Sequence, residues 1–495
     1  MSRATSLGAV TIAVAITGCA VGPDFHRPPA PADTGYTREP LATQTASINT
    51  RGGEAQHFVP ERDIPGEWWT LFRSEPLNRL IEQSLHANPD IDAAQSALRQ
   101  AQENVFAGEG ALFPGASLSF QAQKQRLSGA TFGQPDVHAT FGLVTPTLNI
   151  SYAPDVFGGT RRQIESLEAQ AEFQRFQLEA TYLTLTSNVV VAAVQEASLR
   201  GQIGATQDII KDQGQELNLV QQRFTLGGAS QADVLSQEAQ LAQSRATLPP
   251  LQKQLAQTRN QITALAGQLP SHETRKTFNL DSMHLPRDLP ISLPSKLIEQ
   301  RPDVRAAETQ LHAASAEIGI ATANRLPQFT ITAELGTAAT GFTNMFAPGT
   351  GAWSIAGGIT QTLFDAGALL HRKRAAVAGF EQTAAQYRST VIKACQNVAD
   401  TLRALQSDAD ALVAQASAER AAFASLDLAR RQYQLGAIDY LTLLNAQRTW
   451  QQARIDRVQA EANRYADTAA LFQALGGGWW HRNDAAQVAD NVKHP

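Results

Sequence analysis

The segment RFTLGGASQADVL (residues 223–235) aligns without a gap with QYQLGAIDYLTLL (residues 432–444). The same shift along the chain also superimposes Gly267 on Gly476. Similarity at a fixed spacing is the signature of a repeated architecture, so single elements have to be assigned with the repeat in view. The chain therefore contains two related halves.

A second match lies upstream, where NPDIDAA (residues 88–94) corresponds to RPDVRAA (residues 301–307). The two halves consequently extend well beyond the first match, and we place them at residues 76–275 and 276–477. A repeat of this length is long enough to contain several helices and strands.

Each half shows the same order of segments. A helical segment comes first, at residues 77–111 and 295–325, and it runs to a proline. Two segments with period-two alternation follow, which is the pattern of β-strands. The predicted strands are residues 118–123, 147–152, 329–335 and 353–359.

Very long helices are predicted after turns at residues 156–159 and 363–367. In the second half, apolar residues recur three and then four positions apart, which is the heptad pattern of a coiled coil. These residues are Val377, Phe380, Ala384, Tyr387, Val391, Ala394 and Val398. A helix over residues 159–224 would be roughly 100 Å long at about 1.5 Å per residue, which is longer than a globular helix or a membrane span. We expect these helices to project away from a membrane.

The predicted strands carry apolar side chains on one face and polar side chains on the other. The apolar residues are Leu118, Phe120, Leu148, Ile150, Phe329, Ile331, Trp353 and Ile355, and the polar ones are Ser119, Gln121, Asn149, Thr330, Thr332 and Glu334. Four strands are too few to close a membrane barrel, and an open sheet edge is unstable in lipid. Three copies would supply a twelve-stranded barrel around a polar lumen. A soluble sheet with one wet face fits the alternation equally well.

The N-terminus has the features of an export signal. Residues 1–18 include an apolar run that is too short to span a bilayer, so they are interpreted as a signal peptide. The run ends in Ile16-Thr-Gly-Cys19, which resembles a bacterial lipobox and implies a covalent lipid on Cys19. By the same resemblance, Ala20 favours the outer over the inner membrane. Residues 19–75 would form an anchored extension, and residues 478–495 a C-terminal tail.

Charge and motifs argue against several classes of protein. The formal net charge of −5 comes without a basic stripe, so a nucleic-acid partner is not expected. Two cysteines, Cys19 and Cys395, cannot form a four-thiolate zinc site, and no metal or other cofactor is predicted. The chain has no HExxH, Gly-x-Ser-x-Gly or P-loop spacing, so no catalytic residue is assigned and an enzyme is not expected.

Several motifs together resemble the outer-membrane efflux lipoproteins of the TolC superfamily, in the NodT/OprM-like group. They are GCAVGPDFHRP (residues 18–28), WWTLF (68–72), LNRLI (77–81), NPD (88–90) and YLTLLNAQ (440–447). The resemblance implies a homotrimer with a long α-helical barrel and a β-barrel in the outer membrane. It also implies a periplasmic adaptor and an inner-membrane pump of the RND type as partners. The implied function is a passive exit duct for small molecules, with an iris at its periplasmic tip.

The two matching turns, around Gly227 and Gly436, are expected at that tip because they join consecutive helices. Leu441 and Asn445 are four residues apart and therefore share a helix face. They resemble the family's constriction pair, although relatives often have an Asp where this chain has Asn445. Asp233 and Asp439 are further acidic candidates, for which a cap or turn role is the alternative. The alternative for the pair is that Leu441 packs in the seam of a coiled coil and that Asn445 is a solvated surface residue.

Basic residues recur just after both strand-to-helix turns, where they could meet lipid headgroups. They are Arg161, Arg162, Arg372, Lys373 and Arg374. A solvated helix face is the alternative. Two other functions stay open as well, a type I protein-secretion duct of the same superfamily and a periplasmic coiled-coil adaptor lipoprotein. A duct for copper or silver is expected to have clusters of methionines, whereas this chain has only three methionines. Organic solutes are therefore weakly favoured.

Overall fold

The order of elements repeats along the chain as the sequence predicts. A computed structural model describes residues 20–482, except 129, 131, 132, 134, 135, 137 and 273–276. Within these residues the α-helices are α1 (Glu75–Ala87), α2 (Pro89–Glu109), α3 (Gly159–Thr225), α4 (Gln231–Leu265), α5 (Pro294–Gln300), α6 (Pro302–Ala323), α7 (Ala368–Gln434) and α8 (Tyr440–Ala474). The strands are β1 (His57–Pro60), β2 (Gly115–Ser128), β3 (His138–Tyr152), β4 (Asp288–Ile291), β5 (Gln328–Thr337) and β6 (Gly351–Thr360). Each half has two short helices, two strands of the four-stranded sheet and a long helical hairpin.

The segments predicted to be helical, residues 77–111 and 295–325, are each divided into two helices, a break that the sequence analysis did not predict. Asn88 separates α1 from α2 with φ −80° and ψ 121°, and Arg301 separates α5 from α6 with φ −87° and ψ 121°. Both residues precede a proline, whose ring disfavours the helical conformation of the residue before it. The proline then starts the next helix.

Four strands form one antiparallel sheet in the order β2-β3-β5-β6. Leu118 pairs with Leu148, Leu148 with Leu335, and Leu335 with Trp353, so the apolar residues of all four strands share one face. Asn149 pairs with Glu334, which in turn pairs with Ser354, on the polar face. The predicted alternation is therefore confirmed. The strands have 14, 15, 10 and 10 residues, and all four are longer than predicted.

The long helices match their prediction closely. The helices α3 and α7 each contain 67 residues, and α4 and α8 each contain 35. Tyr387, Ala394 and Val398 of the predicted heptad pattern are buried. None of the helices in the described part of the chain is long and apolar enough to cross a membrane.

The chain divides into two compact units. One contains the four-stranded sheet with the adjoining parts of α2, α3, α6 and α7, and the other contains both helical hairpin turns. The second unit has an aromatic core, in which Trp68 stacks on Phe472 with ring centroids 5.3 Å apart. The parallel pair of β1 and β4 belongs to the same unit.

Candidate functional site at the helical hairpin turns

The two hairpin turns have the same backbone construction. Gly227 has φ 76° and Gly436 has φ 72°, a left-handed conformation that glycine adopts without strain. The Gly228 amide donates to the Arg223 carbonyl at 2.7 Å, and the Ala437 amide donates to the Gln432 carbonyl at 2.9 Å. These bonds close the C-termini of α3 and α7 in the same way.

Asp233 and Asp439 cap the helices that leave the turns. Ser230 and Asp233 form a capping box, in which the Ser230 amide donates to the Asp233 carboxylate at 2.9 Å. The Asp439 carboxylate accepts from the Thr442 amide at 2.8 Å and from the Thr442 hydroxyl at 2.5 Å. Hydrogen bonds from the Thr442 hydroxyl and amide lower the pKa of Asp439. Both acids thus lie at the turns and have a structural role there.

Leu441 and Asn445 lie on the exposed side of α8. Leu441 is 60% exposed, whereas the adjacent Leu443 and Leu444 are buried. The buried pair belongs to an apolar cluster with Tyr440, Val220, Leu426 and Ala429. The first turns of α8 therefore have one face packed on the hairpins and another face exposed.

A buried hydrogen bond fixes the start of α8 to α4. The Tyr440 hydroxyl donates to the Gln237 amide oxygen at 2.5 Å, and the Gln237 amide nitrogen donates to the Gln213 carbonyl at 3.0 Å. Burial raises the pKa of Tyr440, with Glu216 as the next cause, so the hydroxyl keeps its proton. This chain of bonds links α8, α4 and α3 behind the exposed face.

Two further polar pairs join α8 to its neighbours. The Gln447 amide nitrogen donates to Glu216, and the Arg448 guanidinium donates to the Gln240 amide oxygen. Burial raises the pKa of Glu216, although Arg430 at 3.6 Å favours its charged form.

The sequence analysis did not predict the contacts of Gln447 and Arg448. Only for Arg448 was a signal present, because it follows Leu441 by seven residues and therefore shares its helix face.

Beside these pairs lies a cleft of about 350 Å³ with mixed charges. Its lining includes Asp212, Glu216, Arg223, Arg430, Tyr433 and Tyr440. The Arg223 guanidinium lies 5.1 Å from the centre of the Tyr433 ring, a cation–π distance. The cleft thus combines charged and aromatic groups on one side of the hairpin ends.

The basic residues after the strands have different surroundings. Arg162 is 5% exposed, and its guanidinium donates to Asp24 and to Glu165, each at 2.7 Å. Arg161 donates to Asp155 at 3.1 Å. Arg372 and Arg374 are exposed, and Lys373 is half-buried. A contact with lipid headgroups stays a prediction for these five basic residues. The burial of the Arg162 side chain argues against such a contact for Arg162.

Cys19 and residues 1–18 lie outside the described residues. The chain that follows Cys19 is attached to the turn before α3. The Val21 amide donates to the Phe157 carbonyl at 3.0 Å, and a Cβ on Gly158 would approach the Ala20 Cα to 2.4 Å. Glycine at position 158 therefore permits the close approach of residue 20.

The sequence matches the family described as "Outer membrane efflux protein" over residues 80–268 and 293–477. The chain belongs to this family. The family is matched twice, and each matched region lies within one half of the repeat. As an outer membrane efflux protein, the chain is a channel component of the outer membrane and serves efflux.

Characterised members of the outer membrane efflux protein family resemble the chain over most of its length. The pyoverdine export outer membrane protein OpmQ of Pseudomonas putida is 29% identical over 83% of this chain and 88% of its own. The toluene efflux pump outer membrane protein TtgC of Pseudomonas putida is 27% identical over 99% of each chain. The cation efflux system protein CusC of Escherichia coli is 26% identical over 94% of this chain and 97% of its own.

Solved channels agree with the fold of this efflux protein. The outer-membrane channel OprN is 28% identical, with a TM-score of 0.82 over 93% of this chain and 100% of its own. The CmeC outer membrane channel of Campylobacter jejuni has a TM-score of 0.84 at 17% identity, over 96% of this chain and 98% of its own. The TolC-like fold class is confirmed by these similarities. The family is one of ducts without catalytic activity, which agrees with the absence of an enzyme assignment.

Proposed function

We propose that three copies of the chain form the exit duct of a tripartite efflux pump. The observation that carries this proposal is the four-stranded sheet with its exposed apolar face, on which Trp353 and Ile355 are 74% and 71% exposed. Its edge strands, β2 and β6, have no further partner strand among the described residues. In lipid such edges need partners, and three sheets joined edge to edge would form a closed twelve-stranded barrel.

The partners are a periplasmic adaptor and an inner-membrane pump of the RND type. The adaptor would dock at the hairpin turns, where Leu226 and Leu435 are 86% and 84% exposed. These two leucines lie at equivalent positions of the repeat. Their exposure favours a contact with another protein, because such a contact would remove large apolar side chains from water. The family resemblance points to the same surface.

Leu441 and Asn445 would form the constriction of the duct. Around a threefold axis, three copies of Leu441 would present an apolar ring that resists wetting, and three copies of Asn445 a polar ring beside it. The exposure of Leu441 and its distance from the buried cluster support this assignment. Asp233 and Asp439 would act at the same tip mainly as caps.

A lipid on Cys19 would hold the N-terminus in the outer membrane. Acyl chains contribute about 0.8 kcal/mol per buried methylene, so a multiply acylated cysteine would anchor the chain stably. Arg161, Arg372, Lys373 and Arg374 would meet headgroup phosphates near that anchor. The solutes would be small organic compounds, since the chain offers three methionines and no methionine cluster for soft metal ions.

Single-channel conductance in planar bilayers tests the duct and its constriction together. The native trimer should give small, mostly closed events, and Leu441→Ala should give larger and longer ones because the apolar ring is removed. Leu428→Ala is the matched control, since Leu428 is similarly exposed at 56% but lies on α7. Absence of channels from a trimeric preparation of every variant would refute the duct. Equal conductance of the two alanine variants would refute the constriction.

A further inference from the structure

Arg448 lies on the same stripe of α8 as the proposed constriction. At about 100° per residue, Asn445 and Arg448 are within about 40° of Leu441 around the helix. All three side chains are exposed. The rise of about 1.5 Å per residue places Arg448 about 10 Å beyond Leu441, roughly two turns along α8.

The charge of Arg448 is not neutralised by the chain. Its guanidinium donates to the amide oxygen of Gln240, which is a neutral partner. Neighbouring arginines differ, because Arg430, Arg431 and Arg454 lie against Glu216, Asp427 and Asp208. Among the described residues, no carboxylate forms an ion pair with Arg448.

The acids near the tip do not offset this charge on the stripe. Asp439 precedes Leu441 by two residues, which places it about 160° around the helix axis, on the opposite side. Its carboxylate is also bound to Thr442 at the N-terminus of α8, where the helix dipole favours negative charge. Asp456 is the next acid near the stripe, about 12 Å beyond Arg448, and it accepts a hydrogen bond from Gln452 at 2.7 Å.

We infer that Arg448 sets the charge preference of the duct and that its tip favours anionic solutes. The inference rests on the proposed trimeric duct, in which three copies of Arg448 would form a positive ring behind Leu441 and Asn445. A ring of like charges in a narrow passage concentrates counter-ions and repels ions of its own sign. With Asn445 uncharged, the positive ring would be the first fixed charge on the α8 stripe beyond the apolar constriction.

The test is the reversal potential of single channels in a salt gradient, from which the anion-to-cation permeability ratio follows. Native protein should give a ratio above one. Arg448→Gln should lower the ratio by about threefold to tenfold, and Arg448→Lys should preserve it, because charge and not guanidinium shape sets ion preference. Arg431→Gln is the matched control, since it removes one positive charge from an exposed arginine that is paired with Asp427 on α7.

Each variant is measured in the native and in the Leu441→Ala background, so that a closed constriction does not hide the ratio. A native ratio below one, or equal ratios for Arg448→Gln and Arg431→Gln, would overturn the inference and leave the duct intact. Absence of channels in both backgrounds would instead refute the duct itself. A ratio lowered equally by Arg448→Lys and Arg448→Gln would assign the effect to the Gln240 contact, against a role of the charge.

Discussion

The two helical hairpins have the same backbone at their turns but different side chains beyond them. Gly227 and Gly436 adopt nearly the same φ, and each turn is followed by a capped helix of 35 residues. On the exposed stripe, small residues of α4 stand where α8 has large or charged ones. The equivalent pairs are Ala232 with Leu441, Ser236 with Asn445, and Ala239 with Arg448. The two hairpins thus share a backbone construction, and only α8 carries the residues proposed to form the constriction.

The difference continues in the interior of the hairpins. Tyr440 is equivalent to Gln231, which is exposed and has no comparable bond to the other hairpin among the described residues. Deeper in the second hairpin, Asp408 faces Asp467, whereas the equivalent residues of the first hairpin are Leu199 and Thr258. The second hairpin therefore has a buried tyrosine hydroxyl and a pair of acids at positions where the first hairpin has neither.

Exchanging the exposed stripe should have the largest effect. The variant Leu441→Ala, Asn445→Ser, Arg448→Ala gives α8 the small residues of α4. Its single-channel conductance should rise about tenfold, because an apolar constriction limits ion flow by excluding water. The measurement is conductance in planar bilayers at fixed salt.

The reciprocal change tests whether the two hairpins differ in position as well as in side chains. Ala232→Leu with Ser236→Asn places the constriction residues on α4, and it should leave conductance within about twofold of native, since α4 is not proposed to line the narrowest point. A marked fall in conductance would show that both hairpins line the opening equally.

The sequence predicts the repeat, the strand faces and the long helices because each of these depends on local periodicity. Leu118, Leu148 and Trp353 alternate with polar residues, and cross-strand pairing in the sheet places them on one face as expected. The division of the first helix at Asn88 was missed, although Pro89 gives the physical signal for it.

Contacts between distant residues were beyond sequence reasoning. The Tyr440–Gln237 bond joins residues more than 200 positions apart, and neither residue type is unusual in a helix. Arg162 was predicted to meet lipid headgroups because it lies just after a strand-to-helix turn, but its side chain points to Asp24 and Glu165. Periodicity identifies the face of a helix, whereas the partner on that face depends on the tertiary arrangement.

Removing the Tyr440 hydroxyl should destabilise the second hairpin. Tyr440→Phe leaves the buried Gln237 oxygen without its donor, which should lower the free energy of unfolding by about 1–3 kcal/mol. Gln231→Ala, at the equivalent exposed position, should change it by no more than about 0.5 kcal/mol. Denaturant unfolding of native protein and of both variants in detergent measures the difference. If Tyr440→Phe were as stable as native protein, the Tyr440 bond would contribute no net stabilisation.

The acid pair should give the second hairpin a dependence on pH that Leu199 and Thr258, at the equivalent positions of the first hairpin, do not provide. Burial, followed by the neighbouring Asp467, raises the pKa of Asp408 to about 7. One of its carboxylate oxygens is also buried without a hydrogen-bond partner in the described structure. A carboxyl with a raised pKa stabilises the fold while it is protonated, and this stability is lost as pH rises from about 4 through 7.

Native protein should therefore lose about 1–2 kcal/mol between pH 5 and pH 8, a value discounted for the partial exposure of the group. Asp408→Asn keeps a neutral donor facing Asp467 and should remove most of this loss. Asp410→Asn is the control, because Asp410 is exposed on the same helix. If native protein and Asp408→Asn lose the same stability over this range, the titrating group lies elsewhere, and the acid pair does not distinguish the two hairpins.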